Sequence, residues 1–184
     1  MRRTFLCTVL PALAACLWLT CPVAAQREKT EQPLTDQRFV KMVSADNLAE
    51  IELGRLALKH AASEDVKHFA HRIIDDHTKA GKELNRIADT KRIPPAPEID
   101  KKHRELMDKL ATLKGADFDH EFMRHMVTDH KEAITLFERE AKDGQDPELR
   151  EFASKTLPTL RDHLKMARKI SGIEEKDEGR KRNP

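Results

Sequence analysis

Four residues of this chain could do chemistry together: Glu50, His77, His130 and His163. Each lies on an apolar stripe that recurs at helical spacing. His77 follows Phe69, Ala70 and Ile73 and precedes Leu84 and Ile87. Glu50 stands one turn before Leu53, His130 between Met126 and Ala133, and His163 between Leu160 and Ala167. Counted from the nearest turn, Glu50 is about 13 residues along its helix, His77 about 14, His130 about 15 and His163 about 18, at about 1.5 Å per residue. On helices of roughly 25 residues all four fall near mid-length, so the spacing predicts one core layer of three imidazoles and a carboxylate. Buried polar groups without partners are costly. A metal ion would satisfy all four at once, and imidazole with carboxylate suits Fe, Zn, Cu or Mn. The alternative is a buried hydrogen-bond network in which Glu50 joins two of the histidines. Metal ligation needs neutral imidazole, so affinity is expected to weaken as pH falls toward the ordinary histidine pKa of about 6.5.

Asp46 shares the face of Glu50 and is the candidate fifth ligand. Asp76 and Asp129 directly precede His77 and His130, so they point about 100° away. They read either as outer partners that orient a ligand histidine or as solvated flanking charge. By the same helical angles His68, His71 and His125 are expected in solvent, and His60, His103 and His120, near helix ends or in a connector, are expected to form no site. Gly54 and Gly81 each follow a candidate residue by four positions, which suggests close helix packing or space beside the site. Pro158 falls about one turn before His163 and is expected to kink that helix. The methionines read as core filler.

The elements that must carry these residues are four amphipathic segments. The first runs from about Asp36 to Ala62, and Ser63 begins the second, which "KRIPPAP" stops. A connector with a short helix from about Glu98 to Leu113 leads to Gly115, with Asp117 as a cap for a third segment from Phe118 to Lys142. Asp146 and Pro147 open the fourth by cap and first-turn chemistry. A weak internal repeat pairs "FVKMVSAD" with "FMRHMVTDH" and "EDVKHFA" with "PELREFA". Two copies of one helical hairpin joined by a long connector make an all-α four-helix bundle. The connector could cross the length of the bundle or lie over one end.

Composition agrees, with 39% hydrophobic and 36% charged residues and only 6 Gly. Arg2 and Arg3, the apolar "TFLCTVLPALAACLWLT" and the "VAA" before Gln26 read as a cleavable export signal over residues 1–25. The "LAAC" ending at Cys16 keeps open a lipid anchor through Cys16 or Cys21. Residues 26–35 read as a flexible segment, 36–170 as the bundle and 171–184 as a disordered polar tail. Cleavage after Ala25 removes all 3 Cys and brings the formal net charge from +2 to zero. That excludes thiolate metal sites, leaves no basic stripe for nucleic acid and predicts a periplasmic or secreted protein with no membrane span. A homo-oligomer stays open.

"DNLAEIELGRLAL", "VKHFAHRIIDDHTKA", "FDHEFMRHMVTDH" and "ELREFASKTLPTLRDHL" resemble, in that order, the bacterial exported family called domain of unknown function 4142. The resemblance implies a ferritin-like four-helix bundle with a short connector helix between the second and third long helices, and a metal centre between helices. Glu50, His77, His130 and His163 fall in the matching blocks. The ferritin-like di-iron pattern wants a Glu three residues before a ligand histidine. Here those positions hold Ile74, Val127 and Leu160, which favours a mononuclear site, or none, over a carboxylate-bridged di-iron centre. Three functions stay open: a metal-binding bundle without catalysis, a metal-dependent redox enzyme acting on peroxide or Fe(II), and a structural or stress-response interaction module.

Overall fold

The computed structural model describes residues 33–173. Among them the chain forms five helices and no strand: α1 (Asp36–His60), α2 (Glu64–Lys91), α3 (Lys101–Ala111), α4 (Gly115–Asp143) and α5 (Pro147–Ser171). The expected signal segment, most of the flexible segment and most of the polar tail lie outside the described residues. No described helix is long and apolar enough to cross a membrane.

Local chemistry sets the helix ends. Thr35 caps α1 by accepting from the Arg38 N–H at 3.2 Å. Asp146 caps α5 through Glu148 and Leu149, with Pro147 in the first turn. Arg92 closes α2 in the left-handed region at φ 58°, and the prolines that follow prevent continuation. Ser63 makes no side-chain cap for α2; its N–H and that of Ala62 are held by the Asp119 carboxylate instead. Two boundaries differ from the sequence reading. The connector helix is shorter, because Asp100 caps it. The helix α4 starts at Gly115, which adopts φ +63°, so Asp117 lies in its first turn rather than capping it.

The long helices pair as two antiparallel hairpins, α1 with α2 and α4 with α5; α2 also packs on α5, and α1 on α4. The two hairpin turns are at opposite ends. Asp119, near the start of α4, holds the α1–α2 turn. Asp36, at the start of α1, accepts from Gln145 and Asp146 in the α4–α5 turn, and Lys91, ending α2, pairs with Asp146 and Glu148. The connector must therefore travel the length of the bundle, and α3 packs along α1 and α4 as it does so. One long crossover is the connectivity of ferritin-like bundles. Gly54 lets α1 and α2 close up: a Cβ there would stand 2.8 Å from Ile74 Cγ1.

The core is divided in two. Near the α1–α2 turn, Leu53, Phe69, Ile73, Phe118, Phe122 and Met126 form one apolar cluster. At the other end, Phe39, Leu84, Phe137, Leu149, Phe152 and Leu160 form a second. Each buried Leu, Ile or Phe contributes about 1.5–3 kcal/mol, so each cluster is a strong anchor. Between them every long helix carries polar residues, and these make the site.

Candidate metal centre

His77, His130 and His163 reach the gap between the clusters from α2, α4 and α5. Each can offer one ring nitrogen such that the three nitrogens lie within 4.8 Å of one another. His77 and His163 stack at 5.6 Å between ring centroids, and His130 stands nearly perpendicular to both. Phe69 packs against His130 and His163 from the apolar side. His130 and His163 are each 1% exposed; the Nε2 of His77 is sealed from solvent.

Tautomers follow from the partners of the other ring nitrogens. Asn47 donates its Nδ2 to the His77 carbonyl at 2.7 Å, so its Oδ1 faces His77 Nδ1 at 2.9 Å as an acceptor. His77 Nδ1 must then carry the proton, and Nε2 presents a lone pair with no hydrogen-bond partner among the described residues. His130 Nδ1 donates to the Met126 carbonyl at 2.9 Å, leaving a lone pair on Nε2. His163 Nε2 donates to Asp76 Oδ2 at 3.1 Å, leaving a lone pair on Nδ1. Asp76 is itself held by Arg72. The lone pairs of His130 Nε2 and His163 Nδ1 thus face each other at 3.3 Å. Two acceptors aimed at one another are satisfied by a cation between them, or by a second proton on one ring, which would make that ring an imidazolium.

Burial keeps these rings neutral. It pushes His77 down to about 3, helped by the neighbouring His130 and His163, and His130 down to about 4, helped by His163. His163 is also lowered by burial, against the pull of Asp76. Asp76 stays ionised: burial opposes this, but the hydrogen bonds from Arg72 and His163 hold it below the ordinary carboxylate range.

Glu50 lines the same cavity as the three histidines but joins no ligand group with them. It is buried, but its Oε1 approaches the Nδ1 side of His130, at 3.9 Å, and that nitrogen is committed to Met126. No group of three ligand atoms within 4.8 Å among the described residues includes it. Burial, and then the charge of Asp129, raise its pKa well above the ordinary value, so it is a neutral acid. Asp46 and Asp129 also line the cavity of the three histidines, but they join no ligand group with them. Asp46 groups with Asp100 and His103, and Asp129 with His103 and His125. Burial and the Asp129 charge raise Asp46 to about 7. For Asp129, burial is overcome by its neighbours, above all the His103 ring, and the carboxyl is held low.

Two further expectations need correcting. His103 is 3% exposed and His125 is half-buried with its Nε2 sealed, because α3 covers the outer face of α4 that helical angles assign to solvent. His68 and His71 are exposed as expected. Sequence reasoning also missed Asn47. Its only signal was a polar residue on the α1 face beside the stripe, paired with a glycine one turn after His77. A Cβ at Gly81 would overlap the Asn47 amide, so that glycine makes room for the group that orients His77.

Fold and site together define a single-crossover helical bundle whose core holds converging, pre-oriented imidazoles. The chain belongs to the family described as Domain of unknown function (DUF4142), whose model matches residues 20–170. No curated protein matches it. Among solved structures it is similar to CopM in the Cu(II)-bound form, at 23% identity over 76% of this chain and 97% of that one, with a TM-score of 0.65. The apo form of CopM aligns at 25% identity over 74% and 95%, with a TM-score of 0.62. A DUF305 fragment from Deinococcus radiodurans aligns at 19% identity over 76% and 98%, with a TM-score of 0.66.

Proposed function

We propose that this protein is an exported metal-binding bundle that holds one copper ion through His77 Nε2, His130 Nε2 and His163 Nδ1. The observation that carries the reading is the orientation of the three imidazoles. Each donates its outer N–H to a protein acceptor, Asn47, Met126 or Asp76, and so turns its lone pair inward. Outer acceptors of this kind are what ligand histidines use to fix tautomer and ring angle. Three neutral nitrogens without a carboxylate suit copper, zinc or nickel better than the hard cations. Support for copper comes from the fold relatives, since CopM has been solved with Cu(I), Cu(II) and Ag bound. The donor set is a binding site first, and enzymatic turnover is not part of the proposal.

The test is reconstitution of metal-free mature protein with Cu(I) under anaerobic conditions. One equivalent should enter the core, and His77→Ala, His130→Ala or His163→Ala should each weaken binding by about tenfold or more. The exposed His68→Ala and His71→Ala should bind like wild type. Equal affinity in the wild type and His130→Ala would overturn the assignment. Export is tested separately by intact mass of the processed chain, where a lipid on Cys16 or Cys21 would replace a soluble protein with an anchored one.

A further inference from the structure

The packing of α3 on α4 brings together a different donor set, beside a cleft that His103 and Asp129 line. We propose that it is a second metal site, which takes a divalent borderline transition cation through His103, His125 and Asp129. The ligand atoms of these three lie within 4.8 Å of one another. Asp100 caps α3 with one carboxylate oxygen, accepting from the His103 backbone N–H at 2.9 Å. Its other oxygen accepts from His103 Nδ1, also at 2.9 Å. The cap thus fixes the ring and turns Nε2 inward, toward Asp129 Oδ1 at 3.5 Å. That distance is long for a hydrogen bond, and His103 Nε2 has no hydrogen-bond partner among the described residues although the residue is 97% buried.

Asp129, and then Asp100, raise His103 to about 9, so without a cation the ring is protonated and paired with Asp129, and a metal ion takes the place of that proton; the ion pair leaves His125 unexplained. His125 Nε2 is buried beside the same groups and has no hydrogen-bond partner among the described residues. Two imidazoles and a carboxylate make a mixed nitrogen and oxygen set, the kind used by Zn(II) and Fe(II) sites that keep an open position. Asp100 stands beside it with His103 and adds negative charge for a divalent ion. The cleft opens past Lys102 and Glu132, which pair with each other at 3.2 Å. Asp46 and Asp129 line this cleft and also the core cavity, so the two sites share a wall.

Zn(II) titration of the full mature protein, followed by imidazole-resolved nitrogen NMR, tests this independently of the core site. The ring signals of His103 and His125 should shift together in the wild type and equally in His77→Ala. In His125→Ala the His103 response should require about tenfold more Zn(II), while the signals of His77, His130 and His163 behave as in the wild type. The same result is expected for His125→Gln, which keeps more of the packing. Ring signals of His103 and His125 that stay unmoved in the wild type at excess Zn(II) would overturn the proposal. So would a His103 response that is unchanged in both His125 variants. A shift at His103 and His125 with no response at the core histidines would support this site and leave the core one to the Cu(I) test.

Discussion

Removing the Asn47 side chain should reveal how much of the core site depends on holding His77. Asn47→Ala deletes two hydrogen bonds, at 2.7 and 2.9 Å, each contributing about 0.5–1.5 kcal/mol. It also leaves a buried N–H without an acceptor, so the metal-free protein should lose about 2–3 kcal/mol in urea unfolding. His77 would then be free to rotate, and Cu(I) affinity should fall by about 10–100-fold, the usual cost of losing an outer partner of a ligand histidine. Gly81→Ala attacks the same contact from the other helix, because its methyl takes the space of the Asn47 amide. In the wild type it should therefore weaken copper binding despite the better helix propensity of alanine. In the Asn47→Ala background nothing else lies within 4 Å of that methyl. There Gly81→Ala should change sign and stabilise by up to about 1 kcal/mol. A competition titration with a Cu(I) chelator reads the affinities, and the double-mutant cycle reads the coupling. If Gly81→Ala destabilises equally in both backgrounds, or Asn47→Ala binds copper within about twofold of wild type, the positioning argument is wrong.

Glu50→Gln replaces a neutral buried acid by its near-isostere, so core copper affinity should not change; a large loss would return Glu50 to the ligand set. The pH dependence should be flat where the ordinary histidine pKa would predict a decline. Since burial lowers His77 to about 3 and His130 to about 4, both stay neutral on acidification, and copper retention in equilibrium dialysis should hold from pH 7 to about 5 and fail only near or below about 4. Retention that drops around pH 6.5 would show that the rings are not buried as neutral bases. Phe39→Ala removes a ring packed edge-on to Phe137 at 5.3 Å and Phe152 at 6.5 Å. It should cost about 3–5 kcal/mol in urea unfolding, with copper affinity kept in the folded fraction.

Much of this protein can be read in one dimension. The apolar period, the Pro and Gly stops and the Asp146–Pro147 start locate the long helices, because helix ends and buried faces are decided within a few residues of chain. The same period puts His77, His130 and His163 on inward stripes. Three things required the third dimension. The path of the connector depends on which ends the hairpin turns occupy, and only contacts between distant residues show that. Whether His103 and His125 are buried depends on α3 lying over α4, which no angle measured within α4 contains. Glu50 lines the cavity of the three histidines yet joins no ligand group with them, and the ring nitrogen it approaches is already given by His130 to the Met126 carbonyl. Helical periodicity assigns a residue to a face, but a ligand is an atom on that residue, and its direction is set by the hydrogen bonds that neighbouring helices bring to it.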